Sequence, residues 1–144
     1  VRRALVAAPA APAIVRVPRS RELVALEKVV LASLDDLKAV NVKVLDVRGL
    51  TDIADTMIVA SGTSDRHVRA IADRVIERSK AVGRRPMGTE GKQDCEWVLV
   101  DLQDVIVHVM LPRVREFYAL EQLWEGPAET RRAAAAPATL PTAS

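Results

Sequence analysis

Apolar residues recur at intervals of three and four from Leu23 through Leu26, Val30 and Leu34 to Leu37, the spacing that lines one face of a helix. Glu27, Lys28, Asp35 and Lys38 are assigned to its solvent side, and the helix is expected to run from about residue 22 to near Asn41. The β-branched run VKVLDV at 42–47, stopped by Gly49, then reads as a strand, and TMIVAS at 56–61 reads as a second. GTSD turns the chain into another helix, with Thr63 or Ser64 available to cap its free N–H groups. Val68, Ile71, Ala72, Val75 and Ile76 form that helix's buried face, and it should end near Gly83. The opposite face, with Arg66, Arg69, Asp73, Arg74, Glu77 and Arg78, reads as a solvated surface laced by pairs at spacing four, such as Arg69 with Asp73.

A Gly- and Pro-containing loop from Arg84 to Asp94 leads into two apolar stretches split by a short polar turn. These predict a β-hairpin with strands near 96–101 and 105–111. Pro112 is placed to open a last helix, whose Val114, Phe117, Tyr118, Leu120, Leu123 and Trp124 make it apolar over much of its circumference. Helix, strand, strand, helix, strand, strand, helix in one domain points to an α/β fold, a mixed sheet with packed helices. Alternation in the hairpin puts Trp97, Leu99, Ile106, His108 and Met110 at one parity and five valines at the other. Neither set is polar, so either helices cover both faces or part of one face is kept for a partner.

Ala and Pro dominate both ends, so residues 1–20 and 126–144 are expected to be disordered tails around a folded unit at 21–125. The tails conceal the sign of that unit. Of 21 basic and 19 acidic residues, seven and one lie in 1–21 and 126–144, which leaves 14 basic against 18 acidic between 22 and 125. A net charge of −4 disfavours a core that binds nucleic acid by neutralising phosphates. The five arginines of the first 21 residues could instead contact RNA, or belong to an organellar transit peptide. No secretory signal or apolar run near 18 residues stands out, so a cytoplasmic protein without membrane attachment is expected.

Little in the sequence supports catalysis. SGTS at the strand-to-helix turn could suggest phosphate binding, but it lacks both the dinucleotide glycine spacing and the Gly-Lys-Ser/Thr end of a P-loop. Two-metal transfer needs converging carboxylates, whereas Gln103 stands where the partner of Asp101 would be. His67 and His108 have no second ligand at metal spacing, and the lone Cys95 lies between Asp94 and Glu96, whose charges oppose a thiolate. Neither an enzyme nor a cofactor is expected.

The stretches DTMIVASGTSDRHVRAIADRV (55–75), EGKQDCEWVLVDLQDVIVHVM (90–110) and REFYALEQLW (115–124) closely resemble three signature blocks of the Iojap-like ribosomal silencing factors. That resemblance implies a nucleotidyltransferase-like topology without the catalytic carboxylates. It also implies binding to the large-subunit ribosomal protein numbered fourteen on the 50S subunit, which blocks 30S–50S association when nutrients are short. By position it assigns partner binding to Trp97, Asp101, Asp104, His108, Tyr118, Leu120 and Glu121, with Trp124 also matching the pattern. A homodimer is plausible from the apolar last helix. A nucleotide-binding or nucleotidyltransferase-related module and a large-subunit assembly factor are the alternatives. The family usually carries Gly between the two hairpin aspartates. If that position needs positive φ, Gln103 costs roughly 1 kcal/mol or changes the turn.

Overall fold

Two strands buried along their whole length lie side by side in parallel at the centre of the protein, β2 (Thr56–Ser61) and β5 (Val105–Met110). Parallel pairs are normally covered on both faces, which accounts for the absence of a polar parity in β5. The computed structural model describes residues 19–119 and 122. In it β1 (Val40–Asp46) pairs antiparallel with β2, β4 (Trp97–Asp101) with β5, and β3 (Gly88–Glu90) with β4. The sheet order is β1-β2-β5-β4-β3. With α1 (Arg21–Asp36), α2 (Asp65–Ala81) and α3 (Pro112–Tyr118), the fold is a mixed α/β domain as expected. None of the described helices is long and apolar enough to cross a membrane.

The helical faces read from the periodicity meet one side of the sheet. Leu23, Leu26, Val30 and Leu34 of α1 and Val68, Ile71, Ala72 and Val75 of α2 pack with Ile58, Ala60, Val98, Val100, Val105, Val107 and Val109. Each of the Val, Leu and Ile side chains taken from water contributes about 1.5–3 kcal/mol before entropy is counted. Ser20 caps α1 by accepting the Leu23 N–H at 3.1 Å, and Ser64 caps α2 by accepting that of His67 at 3.1 Å. Glu27, expected on the solvent side of α1, is buried instead. It accepts a hydrogen bond from Thr56 of β2 and pairs with Arg19 at 3.3 Å.

On the other side, Leu45, Val47, Met57, Val59 and Met110 pack with Val114 of α3, while Ala54 covers Leu99 and Ile106. Of the alternatives left open by the hairpin's parity, coverage of both faces is the one seen for β5, whose six residues are all buried. Helices α1 and α2 bury one face; a short helix and the 47–55 loop bury most of the other.

Three local expectations are corrected. α1 stops at Asp36 rather than near Asn41, because Lys38 at φ +56° leaves the helical region and Asn41 at φ +50° already belongs to β1. Asp73 pairs with Lys92 at 2.7 Å rather than with Arg69, and Arg74 and Arg78 both reach Asp36 of α1. The face of α2 is therefore stitched to its neighbours as well as solvated, at exposed positions where each pair contributes little. The loop expected at 84–94 contains β3, three exposed residues on the sheet edge.

Candidate functional site

The loop entering β4 sets where Trp97 stands. Gly91 has φ +87°, and a Cβ there would lie 2.0 Å from the Trp97 carbonyl oxygen, so only glycine lets the two backbones approach. Cys95, at φ +61°, donates its N–H back to Gly91 at 3.0 Å, and Trp97 then pairs with Met110 across the hairpin. Its half-buried indole donates Nε1–H to His108 Nδ1 at 3.0 Å.

α3 brings two more aromatic rings to this place. Pro112 opens it without a side-chain cap, its fixed φ suiting the first helical position. Val114 is buried against the sheet, and Arg115, 7% exposed, donates to Ser61 Oγ at 3.0 Å. These anchors hold one side of the helix down and leave Phe117 and Tyr118 outward, 49% and 55% exposed. Tyr118 contacts Trp97 with ring centroids 5.0 Å apart and meets Phe117 edge-on at 4.9 Å. Ala119, at φ +44°, is the C-cap of α3, and most of the rest of the expected helix, toward residue 125, lies outside the described residues. The rings and Val114 flank an open groove of about 460 Å³ whose polar wall includes Asp94, Glu96 and Arg113. Arg113 approaches Glu96 at 3.4 Å, both largely exposed.

His108 belongs to this cluster without reaching its surface. The imidazole is fully buried, and desolvation of the charged form pushes its pKa down to about 3. Indole N–H is only a donor, so Nδ1 accepts and the neutral ring carries its proton on Nε2. That Nε2 has no hydrogen-bond partner among the described residues.

The other residues assigned by resemblance lie elsewhere. Asp101 and Asp104 stand at the turn, the opposite end of β4 from Trp97. Asp101 Oδ1 accepts the Gln103 N–H at 2.8 Å, and Asp104 pairs with Arg84 at 3.2 Å. Gln103 has φ +77°, the strained conformation anticipated for a residue in a glycine's place. Leu120, Glu121 and Trp124 lie outside the described residues. Phe117, placed by the sequence only in an apolar helix, joins the cluster; its adjacency to Tyr118 in the chain was the available signal.

The turn that invited a phosphate is occupied by the protein's own groups. Gly62 N–H donates to the Met110 carbonyl at 3.0 Å, Thr63 N–H to His67 Nδ1 at 2.8 Å, and His67 N–H to Ser64. A Cβ on Gly62 would sit 2.8 Å from Val68 Cγ2, so this glycine serves strand–helix packing. Cys95 is buried, its thiol donating to the Lys92 carbonyl. Among the described residues no group of three or more His, Cys, Asp and Glu could hold a metal ion. Among the described residues these exclusions leave an aromatic surface beside carboxylates as the candidate site.

Comparison with known proteins identifies the family. The sequence model of a family described as "Ribosomal silencing factor during starvation" matches residues 19–142, extending beyond the 21–125 unit read from the residue pattern. A protein named ribosomal silencing factor RsfS from Chromobacterium violaceum is 44% identical over 105 residues, covering 73% of this chain and 86% of its own. A mouse protein named mitochondrial assembly of ribosomal large subunit protein 1 is 37% identical over 73 residues, 49% of this chain and 32% of its own. A crystal structure of a Chromobacterium violaceum protein superposes with a TM-score of 0.69 at 43% identity, covering 72% of this chain and 88% of that one. The family match spans most of the chain and the fold agrees with it: this protein belongs to the ribosomal silencing factor family.

Proposed function

We propose that the protein acts without catalysis, docking the Trp97–Phe117–Tyr118 surface on the large ribosomal subunit, against ribosomal protein number fourteen, and so keeping the small subunit from joining. One observation carries this reading. The chain has four aromatic residues of the Phe, Trp and Tyr types, and three of them gather at one surface, two about half exposed. Trp and Tyr are typical interface anchors, because they bury large areas while losing few rotatable bonds. An acidic core suits a basic ribosomal partner, and it would speed encounter at low salt while the apolar anchors hold the complex. The names of the bacterial relatives support the silencing role, and the cytoplasm is the compartment this reading proposes for it. In isolation the same apolar surface would support a homodimer, which large-subunit binding would compete apart.

The test compares binding of wild type and Trp97→Ala to purified large subunits. Retention of the fold by circular dichroism with affinity reduced about 30-fold or more is expected, the effect of an interface anchor worth about 2 kcal/mol or more. Unchanged affinity would remove the aromatic surface from the interface.

A second reading, assistance to large-subunit assembly, is favoured by the mouse relative's name. Accumulation of immature large subunits after depletion, with undisturbed subunit joining, would support it over silencing.

A further inference from the structure

We infer that His108 is a positioning residue, which never touches the docking partner and instead fixes the plane of the Trp97 indole through the Nε1–H to Nδ1 hydrogen bond. The inference rests on the docking role proposed for the aromatic surface and names what sets that surface's shape.

His108 is a poor choice for stability alone. It sits in the middle of β5, opposite Val59 on one side and Leu99 on the other, and is fully buried. An aliphatic side chain would suit such a place, whereas the imidazole buries an Nε2–H that finds no acceptor among the described residues. The ring's one observed hydrogen bond runs to a half-buried residue beside the groove. Trp97 could satisfy its own N–H with water by turning outward, so the bond's effect is to choose the indole's orientation.

The choice propagates. With the indole held against His108, ring centroids 5.9 Å apart, the same indole meets Tyr118 at 5.0 Å, and Tyr118 meets Phe117. One buried acceptor thereby orders three rings. A surface already ordered binds more tightly than the same side chains free to turn, because ordering is not lost again on association. The imidazole also stays neutral throughout the physiological range, so the acceptor is constant.

Substitution separates positioning from structure. His108→Leu removes the acceptor and the unpaired donor together, and His108→Asn can place an amide oxygen near the position of Nδ1. Three readouts are taken at pH 7: the melting temperature, the Trp97 indole N–H resonance in a Trp124→Phe background, and affinity for purified large subunits. His108→Leu is expected to melt at or above the wild-type temperature, to shift the indole resonance to that of a solvent-exposed group, and to bind about tenfold more weakly, the scale of one ordering hydrogen bond. His108→Asn is expected to restore the resonance and most of the affinity. Wild-type affinity in His108→Leu despite a displaced indole, an indole resonance that does not move, or a lower melting temperature that His108→Asn leaves without any recovery of binding would each overturn the inference. Failure of the wild-type protein itself to bind large subunits would overturn the docking role. The resonance and melting temperature would still decide whether His108 orders Trp97.

Discussion

His67 joins the two helices end to end: its Nε2–H donates to the Leu37 carbonyl beyond α1 at 2.7 Å, while Nδ1 accepts the Thr63 N–H ahead of α2 at 2.8 Å. Two backbone groups at helix ends, otherwise without helical partners, are satisfied by one ring. Its value is structural. His67→Ala should lower stability by about 1–2 kcal/mol, the loss of two modest hydrogen bonds, and lower the melting temperature by several degrees. Thermal unfolding followed by circular dichroism checks this, and an unchanged midpoint would mean that water replaces the ring at no cost.

Gln103 occupies the hairpin turn at φ +77°. A side chain there carries a steric cost that glycine lacks, partly offset by glycine's greater freedom in the unfolded chain. Gln103→Gly should therefore stabilise the protein by about 0.5–1 kcal/mol, read as a higher urea midpoint at unchanged slope. Loss of stability would show that the Gln103 side chain makes up for its own strain.

His108 should also write itself into the pH dependence of stability. Its folded pKa of about 3 lies below the ordinary 6.5, so above about pH 6.5 the ring is neutral in both states and adds no slope. As pH falls from 6.5 toward 3 the unfolded chain takes up a proton that the folded protein refuses. Stability should then fall by up to about 1.4 kcal/mol per pH unit. The stability difference between wild type and His108→Leu isolates this effect from the carboxylates. A difference that stays flat between pH 7 and pH 4.5 would contradict it.

The elements visible in the sequence are those in which packing and period agree. TMIVAS is the strand 56–61, and the 68–75 stripe is the buried side of α2. Misread boundaries fall where one residue adopts a conformation its type does not advertise. Leu37 continues the three-four spacing, but Lys38 takes a left-handed conformation and ends the helix early. β3 was invisible because an exposed three-residue edge strand shows no alternation. At the site, parity alone put Trp97 and His108 on one face. What parity could not reveal was that His108 lies wholly inside, or that Tyr118 meets the indole from a helix elsewhere in the chain and brings Phe117 with it, since both depend on how α3 lands on the sheet.

Competition for the large subunit's joining face is most directly measured by sedimenting separated ribosomal subunits with and without the protein. The expected result is co-sedimentation with free large subunits, near absence from assembled 70S particles, and a reduced 70S fraction. Excess small subunits should release the protein by the same factor with which it opposes their joining, because the coupling is reciprocal. Stoichiometric binding to intact 70S particles with undiminished joining would contradict silencing by occlusion, whatever the fate of the individual residues.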